Sequence, residues 1–280
     1  MITVSDLWLY PVKSLRGFRV KRAQLTPLGF QWDRHWMLID DKGTFLTQRK
    51  LPQMVLIKTM LSDSHLILSK KGLPDYAVPL HYPKTVTTKT ASIWKDQCNV
   101  IFEEPAVNRW LQQALDITSP VFLVRMHKDG RRTQSKAALL GDNTHTLFAD
   151  AAPFLITTNT SLMAINQALL EKKYEPVTME HFRPNIVLDG IGAFAEHSIK
   201  RLTHSHYTFE HRYPCQRCIV PTIDINTALP HQSQEPFMTL MGINTMPGDK
   251  KAPAFGENAI LIEGENHDIN IGDALSAHPL

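Results

Sequence analysis

The chain has 280 residues, with 30 Lys and Arg against 27 Asp and Glu, for a formal net charge of +3. So small a charge, with no concentrated basic stripe, argues against a nucleic-acid partner. No apolar run approaches the roughly 18 residues of a membrane span, and three cysteines are too few for a disulfide scaffold.

The remaining composition is that of a globular protein. Its 43% hydrophobic content can fill a core, in one large domain or two modest ones. The N-terminus lacks a signal-peptide pattern and the few cysteines favour a reducing compartment, so the expected location is the cytoplasm.

The first hundred residues read mainly as strands. Ile2 and Val4 alternate with polar neighbours. Met37, Leu38 and Ile39 end at a hairpin signal over residues 40–43, where Asp and Gly tolerate a tight turn. Val55, Leu56 and Ile57 after Pro52 also read as a strand. Pro74, Pro79 and Pro83 predict edge strands or irregular chain.

A helix is expected over Pro105–Leu115. Pro105 suits its first turn, and Glu103 and Glu104 suit the positive end of its dipole. Val107, Trp110, Leu111, Ala114 and Leu115 form one apolar face. The basic stretch 127–143, with Lys128, Arg131, Arg132 and Lys136, reads as a mobile surface loop. A second helix is predicted over residues 160–172, capped by Asn159 or Thr160 and buried along Leu162, Ile165 and Leu169. Strands return at Ile186 to Leu188, at Tyr207, Phe209 and His211, at Ala259 to Ile262, and at Ile269 to Ile271. Many short strands and few helices predict a mainly β, barrel-based fold.

The segment with the most chemistry is Cys215, Gln216, Arg217 and Cys218. Structural zinc needs four ligands, yet only Cys98 remains as a further sulfur, and none of the 13 histidines follows at finger-like spacing. A redox dithiol prefers a helix N-terminus, whereas Ile219 to Asp224 read as a strand. Three cysteines cannot hold a four-cysteine iron–sulfur cluster. Zinc and a redox dithiol stay as lesser readings, behind a pair of structural cysteines or one thiolate on a soft metal, with Arg217 the cation beside Cys218.

The run from Cys215 to Asp224 resembles the metal-binding motif of MOSC-domain proteins. Similar ones include the mitochondrial amidoxime-reducing components and bacterial reductases of N-hydroxylated bases. Other matching segments occur in family order: Trp8 to Ser14, Asp33 to Trp36, Thr47 to Arg49, Phe182 to Val187, Pro253 to Asn258, and Ile271 to Asp273. The resemblance implies a MOSC β-barrel domain over residues 121–280 packed on a β-rich N-terminal module over residues 1–120.

It further implies a molybdenum cofactor (Mo-molybdopterin), with Cys218 as metal ligand and catalytic sulfur. Lys13 and Ser14 would contact its phosphate and Arg34 its pterin. Arg183, Asn185, Gln216, Arg217 and Asn258 would add polar contacts, and Arg49 ranks below these. The implied reaction is reduction of a small N-hydroxylated substrate. Electrons would come from a separate flavoprotein or iron–sulfur protein, because no ferredoxin-like domain is appended. The alternative is a cofactor carrier or sulfur-relay protein without turnover.

Three departures from the resemblance bear on substrate preference. Ala151 and Ala152 replace hydroxyl residues before Pro153. Residues 224–227 differ from the family's turn. Asn258 stands where the mitochondrial relatives carry an aromatic. No side chain declares itself as proton donor.

Overall fold

The computed structural model describes residues 1–82, 87–132, 137–141 and 144–280, so Pro83 and Lys136 lie outside the described residues. Seven strands close into a barrel. In order around it they are Phe154–Thr158, Ile186–Asp189, Ile2–Leu9, Ala274–Pro279, Ile199–Thr203, Thr208–Gln216 and Asp249–Glu263, the last pairing back to the first. Closure removes the unpaired edges an open sheet would carry. One neighbouring pair is parallel, Phe154–Thr158 with Ile186–Asp189, and the helix Asn159–Glu171 lies within its crossover.

The N-terminal strand belongs to this barrel and not to the sheets that follow it. It pairs with Ile186–Asp189 on one side and Ala274–Pro279 on the other. Successive side chains of a strand face opposite ways, and both faces are used here. Ile156, Ile186 and Leu188 pack with Val4, Leu7 and Phe209 in one cluster. Val187 and Phe255 join Ile165, Leu169 and Leu240 in another, under the helices Asn159–Glu171 and Phe237–Ile243.

The N-terminal half forms its own β-structure. A four-stranded antiparallel sheet runs Trp36–Ile39, Phe122–Met126, Asp96–Phe102, Thr88–Ile93. Trp36, Leu38 and Leu123 face a core closed by the helix Pro105–Leu115, while Met37, Ile39 and Val124 face a second core that reaches Phe148. A three-stranded meander, Lys58–Leu61, His65–Ser69 and Tyr76–Pro79, places proline-bearing Tyr76–Pro79 at the edge. The protein is therefore mainly β, as its pattern predicts.

Local expectations fare unevenly. The helix Pro105–Leu115 has the predicted bounds and buries all five predicted side chains. The turn at 40–43 forms, with Gly43 at φ 81° and the Asp40 carboxylate accepting from the backbone N–H of Lys42 and Thr44. Residues Pro52–Leu56 are instead a 3-10 turn: Pro52 supplies a preset φ, and three apolar residues in a row carry no period. Thr158, not Asn159 or Thr160, caps its helix by accepting from Ser161 N at 3.1 Å.

Glu103 is no helix-dipole partner. It is buried against Arg125 and accepts from the Trp36 indole. Arg132 is not on a mobile loop either. It is 1% exposed, with Nη1 on Asp96 at 3.0 Å and Nε on the Leu147 carbonyl at 3.1 Å. Cys98 is buried and burial pushes its thiol up to about 11, so it is an inert core residue.

His35 yields a pH prediction. Its Nε2 is buried without a partner, and burial, with help from the Arg125 charge, lowers its pKa from 6.5 to about 4. Between those values the unfolded chain takes up a proton that the folded chain refuses. Its contribution to stability is therefore present above pH 6.5 and lost as pH falls to about 4, at roughly 1 kcal/mol per pH unit. Urea unfolding of His35→Phe should show a drop between pH 7 and 4.5 smaller than that of the unsubstituted protein by about 2 kcal/mol. Equal drops would rule His35 out as the source.

Candidate cofactor cleft

The two halves meet along a cleft enclosing about 780 Å³ of open space. The N-terminal half contributes Lys13, Ser14, Arg34, Thr47, Gln48 and Arg49 to its walls. The connecting stretch 148–152 and the barrel contribute the rest, including Asp150, Arg183, Asn185, Cys215, Arg217, Cys218 and Asn258. Sites between two packed units draw a few polar groups from each.

Three wall residues sit in the left-handed region, Ser14 at φ 66°, Arg34 at 47° and Arg183 at 56°. A residue with a Cβ pays of order 1 kcal/mol for this, and such positions gather at functional sites. The backbone explains how they are held. Lys13 N donates to Trp36 O, Arg34 N donates to Tyr10 O, and Arg183 ends the 3-10 turn Met179–Phe182 by donating to Glu180 O. Pro184 then prevents the turn from continuing.

The charges are unbalanced. Among the described residues, five cationic side chains line the cleft (Lys13, Arg34, Arg49, Arg183 and Arg217) against the single carboxylate of Asp150. Lys13 is 3% exposed, with Nζ on the Phe148 carbonyl at 2.9 Å and Asp150 at 2.5 Å. Burial pulls its ammonium down to about 8, and the Asp150 charge limits the fall. Partial enclosure works against ionisation of Asp150, but Lys13, Arg49 and the Trp94 N–H hold its carboxyl well below the usual range.

Arg34 and Arg183 both pack on the buried Tyr10 ring, at 4.4 and 4.3 Å from its centroid. Arg34 also donates to Asp33 and to the Arg183 carbonyl, and Arg183 to the Leu15 carbonyl. Burial, then the neighbouring Arg34 charge, lowers the Arg183 pKa to about 10. Asp33 pairs with Arg34, and both guanidinium side chains line the cleft.

Two sulfurs also line the cleft. Cys215 and Cys218 are both half-buried. Arg49 Nη2 donates to Cys218 Sγ at 3.0 Å, whereas Arg217 Nη1 donates to Cys215 Sγ at 3.1 Å. The cation on Cys218 is thus Arg49, from the opposite half, and not its sequence neighbour Arg217. Residues Val220–Thr222 form a 3-10 turn and not the expected strand, because Pro221 fits a first-turn position.

Of the expected contacts, Lys13, Ser14, Arg34, Arg183, Asn185, Arg217, Cys218 and Asn258 all line the cleft. Gln216 does not. It is the exposed last residue of the strand Thr208–Gln216, beside a register shift between Pro214 and Gln216, while Cys215 and Arg217 line the cleft. Asn185 lines the wall with its amide engaged elsewhere, accepting from Leu155 N and donating to Trp8 O. Arg49 and Asp150 are the residues that sequence reasoning undervalued. Only the motif around Thr47 pointed to the former.

The lining suits an anionic, sulfur-bonded group. Among the described residues, Asn258 Nδ2 and Arg217 Nε are buried and meet no hydrogen-bond partner, so two donors await acceptors. Among the described residues, no three His, Cys, Asp or Glu side chains converge as a metal site. A metal at Cys218 would draw most of its ligands from a bound organic group.

Barrel and cleft together define a class: a β-barrel protein presenting two cysteine thiols in a cationic groove. Residues 1–118 match the MOSC N-terminal beta barrel domain and residues 143–276 the MOSC domain. The chain is 31% identical over 283 residues to mitochondrial amidoxime-reducing component 1 of Homo sapiens, covering 97% of this chain and 81% of that protein. It is 31% identical over 275 residues to mitochondrial amidoxime reducing component 2 of Bos taurus, covering 91% and 77%. The chain belongs to the MOSC-domain family that includes these amidoxime-reducing components.

Proposed function

We propose that the protein is a molybdenum-cofactor-dependent reductase of N-hydroxylated compounds that holds its metal through Cys218. The observation that carries this reading is the cleft itself. A solvent-reachable thiol, five cations and two unpartnered donors face one space, in a relative of proteins named for reducing amidoximes.

Each residue has a task in this reading. Lys13, Arg34 and Arg183 neutralise the cofactor's anionic tail, and Ser14 adds a hydroxyl at that end. Asn258 and Arg217 offer hydrogen bonds near the sulfur end. Arg49 steadies negative charge on Cys218. When bound, the cofactor supplies a metal able to exchange two electrons with the substrate. Overall, reduction of N–OH to N–H takes up two electrons and two protons and releases water. The electrons come from a separate donor protein, either a flavoprotein or an iron–sulfur protein. Among the described residues, no helix is long and apolar enough to cross a membrane.

The test uses protein made in a cofactor-competent host, assayed for molybdenum, for pterin fluorescence, and for turnover of an amidoxime with an artificial reductant. About one molybdenum per chain and reductant-dependent turnover are expected. Molybdenum with pterin but no turnover would mean a carrier. Protein without either would defeat the reading.

A further inference from the structure

Trp94 breaks a local rule. It opens the two-residue turn between the strands Thr88–Ile93 and Asp96–Phe102, where Ile93 pairs with Asp96, and it has φ 54°. Tight hairpins place Gly or Asn at such positions, since a bulky side chain there is strained. The indole is also 48% exposed, whereas Trp36 is fully buried and Trp110 nearly so. An exposed, strained aromatic at a turn is a cost to folding that its few contacts only partly offset. Such conflicts between local preference and observed structure concentrate at functional sites.

Its surroundings say which function. The indole N–H donates to Asp150 Oδ1 at 3.1 Å, and the Phe45 ring meets it edge-on at 4.8 Å. The Arg49 guanidinium lies 4.8 Å from its centroid, and the same guanidinium reaches Cys218 Sγ. Three neighbours therefore fix the ring's orientation one side chain away from the metal-binding thiol, with nearly half its surface left open.

We propose that the indole of Trp94, which stands beside the lining residues Arg49 and Asp150, is a specificity-determining rim of the cleft, on which the planar ring of an aromatic N-hydroxylated substrate stacks. This rests on the reductase reading above. A rigid aromatic face favours flat, polarisable ligands over aliphatic ones of the same reactive group. Arg49 lies over the indole and also reaches Cys218, so a substrate ring stacked on the open part of the indole lies at the mouth of the cleft, one side chain from the sulfur.

Benzamidoxime and acetamidoxime test this, because they share the reacting group and differ in the ring. Binding of each is measured by calorimetry without reductant, so that no turnover occurs. For Trp94→Leu, which keeps apolar bulk without a π face, the benzamidoxime Kd should rise about tenfold and the acetamidoxime Kd about twofold or less. Trp94→Phe should hold benzamidoxime within about threefold. Equal losses for both ligands, or no preference for benzamidoxime in the unsubstituted protein, would overturn the proposal. Thermal midpoints identify any variant that folds poorly, and the phenylalanine variant then carries the comparison. Failure of the reductase reading shows separately, in the metal content and the reductant assay, neither of which depends on ring selectivity.

Discussion

Cys218→Ser protein from a cofactor-competent host should carry at least about tenfold less molybdenum than the unsubstituted protein, and Cys215→Ser should stay within about twofold. A hydroxyl is a poor substitute for a soft thiolate on such a metal, so loss of the ligand falls directly on affinity. The two cysteines make a matched pair of controls. Both are half-buried, both line the cleft, and each has an arginine within 3.1 Å. They differ in which arginine. Cys215 is served by Arg217 from its own turn, Cys218 by Arg49 from the other half of the molecule. A metal at Cys218 would therefore sit on a sulfur that both halves of the molecule contact. Metal analysis by mass spectrometry reads the outcome. Equal molybdenum in the Cys218 variant would remove that sulfur from the site, and loss confined to the Cys215 variant would reverse the assignment.

Glu103→Ala should destabilise the N-terminal half by about 3–5 kcal/mol, the cost of stripping one partner from a buried ion pair. Arg125 is fully buried, with Nε and Nη2 on the two Glu103 oxygens at 2.5 and 2.9 Å. Its remaining donors reach the carbonyls of Pro79, Leu80 and His81, so the pair ties the sheet to the end of the meander. Trp36 Nε1 donates to the same carboxylate at 2.7 Å. Alanine would leave a guanidinium charge and an indole N–H unsatisfied in the core. The melting midpoint should fall by about 10 °C. Replacing both partners with apolar residues should cost less than Glu103→Ala alone, since no orphaned charge remains. A single-variant loss under about 1 kcal/mol would show that water or a rearranged carbonyl replaces the carboxylate.

The uneven outcome of the sequence reading follows from the range of the forces involved. Pro105–Leu115 was legible because eleven residues carry a clear helical period and a proline at the start. Residues 52–56 and 220–222 were misread because short apolar runs look alike in a strand and in a 3-10 turn. Glu103 was assigned to the nearest helix end because its true partner, Arg125, is 22 residues away. Arg132 looked like one of several loop cations until Asp96, from another strand, closed over it.

What the sequence determined alone was the mainly β pattern, the absence of a long apolar span, and an ordered set of motifs pairing a C-x-x-C with distant basic residues. Periodicity and motif order are properties of neighbouring residues, so they can be read without coordinates. The tertiary structure decided that the first strand closes the C-terminal barrel, that Arg49 and not Arg217 meets Cys218, that Asp150 neutralises Lys13, and that Gln216 turns away. The first three depend on partners more than a hundred residues apart, and the last on how one strand end meets its neighbour, and only packing of the whole chain sets those.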